Sequence, residues 1–245
     1  MNKIQSLAIY DSGLGGLSVY EALRSRFKDL HCVLYADQKN APYGNKTPEA
    51  IYEIAHRAIA SVQKDDIHDV LIACNTVSAV CLTQLKEDFK EMRIWGIIDL
   101  TTSQVQTQSV CVAATSATVQ SKAYELALGN HHTHSIALPE LVSMIENLES
   151  EEVIQNYLKQ YQDAFSNCET LILGCTHYPL ALSAFKALFK GRIIDSREPI
   201  CKFIEGQYIG SDKTSRVSTS GDAVQFKAQI KRLYHRDLEV SVWNL

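Results

Sequence analysis

The chain has no CxxC pair, no long apolar run and no stretch crowded with lysine and arginine, and each absence excludes a class of protein. Its cysteines are odd in number, seven, and scattered without the short spacings of a zinc site or a disulfide scaffold. Most are therefore expected to be free thiols in a reducing compartment. No apolar run approaches the roughly 18 residues that cross a bilayer, and Met1 to Ser6 lack the apolar core of a signal peptide. The expectation is a cytoplasmic protein with no membrane partner. A formal charge of -4, with acidic and basic residues interspersed, leaves no basic stripe to attract nucleic acid. The loop Asp11-Ser12-Gly13-Leu14-Gly15-Gly16 fits neither the GxGxxG nor the GxxxxGK[ST] spacing, which argues against a nucleotide. His131, His132 and His134 have no cysteine or carboxylate at ligand spacing. They read as a polar turn, and neither a metal nor a cofactor is expected.

What the chain does have is a regular alternation. Short apolar runs at Leu7 to Tyr10, Cys32 to Tyr35, Val70 to Ala73, Ile94 to Ile98, Val110 to Ala114, Ser135 to Leu138 and Leu171 to Leu173 are separated by helical patterns. Strands apolar on both faces and alternating with helices predict an α/β fold, with mostly parallel sheets covered by helices. One helix is legible in detail. Thr47 is placed to cap it, Pro48 to open it, and Ile51, Ile54, Ala55, Ala58, Ile59 and Val62 to share its buried face, with Asp65 and Asp66 ending it in solvent.

Two segments about a hundred positions apart repeat one pattern. Asp69-Val70-Leu71-Ile72-Ala73-Cys74-Asn75-Thr76 and Thr170-Leu171-Ile172-Leu173-Gly174-Cys175-Thr176-His177 each run a buried strand into a cysteine followed by polar residues. The duplication predicts two similar α/β domains facing each other, residues 1–98 plus 211–245 and residues 99–210. Ligands of parallel sheets bind beyond the carboxyl ends of the strands, where both cysteines would sit, each opening toward a helix N-terminus. Two thiols on opposite walls of one cleft are the geometry for removing a proton from one face of a carbon and returning it to the other. Taken singly, each cysteine reads as an ordinary buried residue; the shared setting is what points to chemistry.

Other residues fit around that pair. The glycines after Asp11 allow close backbone approach of a small carboxylate at a helix N-terminus. Asp11 is placed to receive an ammonium group or to tune one thiol, and His177 to tune the other. Ala41-Pro42-Tyr43-Gly44 is a rigid turn whose N–H groups suit an anionic side chain. Glu146, on an amphipathic stretch with Leu141, Val142 and Ile145, is a further candidate carboxylate.

With these residues in view, the chain resembles the glutamate racemases of the cofactor-independent aspartate/glutamate racemase superfamily. The resemblance rests on Asp11 to Gly16, Pro42-Tyr43-Gly44, Cys74-Asn75-Thr76, Ala114-Thr115-Ser116-Ala117-Thr118, Gly174 to Leu180 and Thr219-Ser220-Gly221-Asp222, in order along nearly the whole chain. It implies catalytic Cys74 and Cys175, supporting acid–base residues Asp11 and His177, and a further carboxylate at Glu146. It also implies substrate contacts from Asp11, Ser12, Pro42, Tyr43, Gly44, Asn75, Thr76, Thr118, Thr176 and His177. The implied reaction is cofactor-free interconversion of L- and D-glutamate, supplying D-glutamate for peptidoglycan, by a homodimer. An aspartate or broad-specificity racemase is the neighbouring alternative, since one methylene changes binding by only about 1 to 3 kcal/mol. A catalytically silent binding protein of the same fold is the alternative from another class.

Overall fold

In the computed structural model, which describes residues 3–245, every strand pairing is parallel and the strands form two sheets. The first sheet has six strands: β1 (Ser6–Asp11), β2 (His31–Ala36), β3 (Asp69–Ile72), β4 (Arg93–Gly96), β9 (Arg216–Thr219) and β10 (Val240–Val242), in the order β10-β9-β2-β1-β3-β4. The second has four: β5 (Ser109–Ala114), β6 (His132–Ala137), β7 (Thr170–Gly174) and β8 (Arg192–Ile194), in the order β6-β5-β7-β8. The run β2-β1-β3-β4 repeats as β6-β5-β7-β8, so the duplicated sequence pattern is also a duplicated topology. In each copy the first strand lies between the second and the third. The chain therefore reverses direction across the sheet there, leaving a crevice at the carboxyl edge. The cysteine of each repeat follows the third strand, beside that crevice.

Burial alternates along the strands with the two-residue period of a pleated sheet. Leu7 and Ile9 of β1, Leu71 of β3, Val110 and Val112 of β5 and Ile172 of β7 belong to one continuous core between the sheets. Ala8, Tyr10, Val70 and Ile72 face an outer core on the first sheet, and Cys111, Ala113, Leu171 and Leu173 face another on the second. The outer core of the first sheet is closed by the helix Pro48–Lys64. Thr47 accepts a hydrogen bond from the Ala50 N–H and Pro48 opens the helix, and Ile51, Ile54, Ala55, Ala58, Ile59 and Val62 are all buried, as their spacing predicts.

Several expectations change. Three short strands, β8, β9 and β10, carry too few apolar residues to stand out from the sequence. Ile97 and Ile98 open a helix, Ile97–Thr102, rather than continuing β4. His132 and His134 lie within β6 and not in a turn, because an edge strand tolerates polar side chains on its uncovered face. Among the described residues no group of histidine, cysteine and carboxylate side chains could hold a metal. Cys111 and Cys168, 57 positions apart, form a disulfide, while Cys32, Cys74, Cys81, Cys175 and Cys201 are free. Among the described residues no helix is long and apolar enough to cross a membrane.

Candidate active site

The carboxyl edges of the two sheets enclose a cavity of about 420 Å³. Cys74 enters it from the end of β3 and Cys175 from the end of β7, so each sheet contributes one thiol to the same space. The strands deliver both cysteines to this edge because the residues before them, Val70 to Ile72 and Leu171 to Leu173, are held on both faces by apolar packing.

The two thiols sit in different electrostatic settings. Cys74 is the N-cap residue of the helix Asn75–Asp88, and its thiol donates to Ser12 Oγ at 3.4 Å. Burial, and then the nearby Asp11 carboxylate, push the Cys74 thiol up to about 12. The helix N-terminus favours a thiolate, but by less than burial opposes it. Cys175 departs from the sequence expectation, since it leads into the short 3₁₀ turn Tyr178–Ala181 rather than an α-helix. Its nearest ionisable partner is instead His177, whose Nδ1 lies 3.9 Å from the Cys175 sulfur. His177 Nε2 meets Glu146 Oε1 at 2.8 Å. Burial opposes the imidazolium, yet the bonds to Cys175 and Glu146 outweigh it and hold His177 up to about 10. Glu146, at the end of the helix Leu141–Glu146, is thus joined to the second thiol through the imidazole.

Asp11 lies beneath the cavity and not on its wall. It is fully buried; its Oδ1 accepts from the Gly13 N–H at 3.0 Å and its Oδ2 from the Thr176 hydroxyl at 3.2 Å. Burial raises its carboxyl, against the opposing pull of His177. Thr118 is similarly set back, with its hydroxyl in a triad with those of Thr76 and Thr115. Ser12, Pro42, Tyr43, Gly44, Asn75, Thr76, Thr176 and His177 all line the cavity. The Ala41–Pro42 peptide is cis.

Two lining residues belong to the Ala114-Thr115-Ser116-Ala117-Thr118 segment without having been expected as substrate contacts. Thr115 and Ser116 reach the wall because they follow β5 as Ser12 follows β1, an equivalence visible only once the strand orders are compared. Asp37, fully buried after β2, accepts from the hydroxyls of Tyr43 and Ser220 and from the Asn40 amide. It ties the Pro42-Tyr43-Gly44 turn to the strand end of β9, and nothing in its neighbouring residues marks it. Its position after an apolar strand, like that of Asp11, is the signal that was available.

Such an arrangement, two thiols facing one small cavity, suits proton transfer at two faces of one carbon. Comparisons with known proteins agree. A family model described as Asp/Glu/Hydantoin racemase matches residues 14–202. The chain is similar to a glutamate racemase of Clostridium perfringens (strain SM101 / Type A), 31% identical over 229 residues and 88% of each chain. Among solved structures it is similar to glutamate racemase isoform RacE1 from Bacillus anthracis, with a TM-score of 0.90, 26% identity, and coverage of 100% of this chain and 99% of that one. It is also similar to a glutamate racemase from Francisella tularensis in complex with D-glutamate, with a TM-score of 0.89, 25% identity, and coverage of 98% and 97%.

Proposed function

Because the chain belongs to the Asp/Glu/Hydantoin racemase family, we propose that its cavity interconverts L- and D-glutamate by proton transfer between two thiols. The observation that carries this reading is that Cys74 and Cys175, from the matching ends of two topologically equivalent sheets, line one cavity.

The proposed chemistry needs one sulfur deprotonated and the other protonated. Cys74 holds its proton, pushed up by burial and Asp11, and Cys175 lies beside the His177 imidazolium. With that starting arrangement the Cys175 thiolate removes the α-proton, forming S–H as C–H breaks. The electron pair moves into the α-carboxylate, and Cys74 delivers its proton to the opposite face of the carbon. Turnover in the other direction exchanges the two roles. Fixed donors around the carboxylate, for which Asn75, Thr76 and Thr176 are positioned, stabilise the charge that develops there. Glu146 supports the imidazolium, and Asp11 holds Thr176 while setting the potential at Cys74. The turn at Pro42, Tyr43 and Gly44 takes the side-chain carboxylate. On this reading the protein is a cytoplasmic homodimer that supplies D-glutamate for peptidoglycan, built from a first unit of residues 1–98 plus 211–245 and a second of residues 99–210.

Purified protein given D-glutamate in deuterated buffer, without pyridoxal phosphate, should lose its circular dichroism signal and exchange the α-proton. Aspartate should turn over far more slowly. Replacing Cys74 or Cys175 with Ser should each lower turnover about a thousandfold or more without unfolding the chain. Normal turnover by either variant would reject the two-thiol assignment, and faster turnover of aspartate would reassign the substrate. Sedimentation at the mass of a single chain would remove the dimer.

A further inference from the structure

The residue after the first thiol, Asn75, has an amide with two different neighbours. Its Oδ1 accepts a hydrogen bond from the Tyr124 hydroxyl at 2.6 Å, and both side chains are buried. Its Nδ2 is buried and has no partner among the described residues, although Asn75 lines the cavity. An amide N–H₂ left without an acceptor in a buried site is costly, so its pairing has to come from whatever occupies the cavity. Tyr124 comes from the other half of the fold, in the helix Ala123–Leu128 that follows β5. Its ring occupies the space beside Gly174, where a Cβ would lie 3.0 Å from Tyr124 Cε2. The absence of a side chain immediately before Cys175 is thus what lets Tyr124 reach across to the residue immediately after Cys74.

We propose that Tyr124 is a positioning residue for substrate: by occupying Asn75 Oδ1 it turns the amide N–H₂ group toward the cavity, so that Asn75 meets a carboxylate with its donors. An asparagine amide free to rotate by half a turn presents its oxygen as readily as its nitrogen, and an oxygen facing a carboxylate repels it. In the flipped amide the Tyr124 hydroxyl would accept from Nδ2 and its own proton would be left buried without an acceptor, so the tyrosine favours the first orientation before the substrate arrives. It also links the two sheets at the reacting centre, since the orientation of a contact on the first depends on a hydroxyl carried by the second. The inference rests on the racemase reading and deepens it by naming what prepares one of the substrate contacts.

The test is a double-mutant cycle in glutamate racemisation. Wild-type turnover of glutamate is the control that carries the racemase reading; if it is absent, that reading fails independently of Tyr124. Given turnover, Tyr124→Phe keeps the ring against Gly174 and should lower kcat/KM about tenfold. In an Asn75→Ala background the same substitution should cause no further loss, because the group that Tyr124 orients is gone. Equal losses in both backgrounds are the mark of a general structural role and would overturn the proposal, as would full activity in Tyr124→Phe. If the Phe variant does not fold, the side-chain amide resonances of Asn75, assigned by their loss in Asn75→Ala, decide the matter in the wild-type protein. D-Glutamate must shift that N–H₂ pair, and an unmoved pair would overturn the assignment.

Discussion

His177 sits between a sulfur and a carboxylate, and its charge is what distinguishes one thiol's setting from the other's. The buried imidazolium is held up to about 10 from an ordinary 6.5 by its bonds to Cys175 and Glu146, although burial by itself would lower it. A histidine whose folded-state value is raised contributes stability that is complete below the ordinary value of 6.5 and is lost as the pH rises through about 10. The wild-type melting temperature should therefore fall across that window relative to the His177→Asn protein. Racemisation should fall on the same alkaline limb. Glu146→Gln removes the negative charge beside the ring while leaving an amide oxygen that can still accept from Nε2, so the His177 titration followed by NMR should move downward in that variant. An unchanged midpoint would show that Glu146 does not support the imidazolium.

At the scale of the element, the glycine loop after β1 works by absence of side chains. Gly15, at the N-cap of the helix Gly16–Arg26, packs directly against the second thiol's neighbours. A Cβ added there would collide with the Thr176 hydroxyl and lie 2.6 Å from His177 Nδ1. Gly15→Ala should therefore push Thr176 and His177 out of place. The expected outcome is a loss of kcat/KM of about a hundredfold, as for a catalytic group displaced by an ångström, with little change in secondary structure. Activity near that of the wild type would mean that the two strand ends are not held as closely as the packing requires. Glycine-rich phosphate loops use the same device, backbone that approaches a neighbour without a Cβ between. Here the neighbour is the other half of the protein.

Across the whole molecule, the two sheets share an interior in addition to the outer core that each has to itself. Residues of β1 and β3 and residues of β5 and β7 pack into one continuous core, with helices such as Gly16–Arg26 and Arg197–Ile204 between them. Hydrogen bonds from Ser18 and from Thr176 also cross between the halves, to the Thr176 carbonyl and to Asp11. Calorimetric unfolding should then show one transition rather than two. Two resolved transitions would indicate that the halves melt independently, despite the shared core. A cleft whose walls share a core keeps two thiols in register, which a flexible hinge between independent domains does not.

How much of this was legible in the sequence depends on the range of the interaction. The helix Pro48–Lys64, its cap, its buried face and the strands on both cysteine repeats follow from residues a few positions apart, because helix and strand periodicity are local. The duplicated strand-to-cysteine pattern, together with parallel-sheet geometry, was enough to expect the two thiols at one edge. The short strands β8, β9 and β10 stayed hidden because their order comes from pairing with distant partners, β9 with β2 for instance. The Cys111–Cys168 disulfide, the Asp37 anchor beneath Tyr43 and the reach of Tyr124 to Asn75 are contacts between residues far apart in the chain. Their partners are chosen by how the sheets stack. Periodicity and motif order thus determined the fold class and the chemical groups. Tertiary packing alone decided which groups are charged, which are set behind the cavity wall and which donor faces inward, because burial and proximity exist only after the two halves meet.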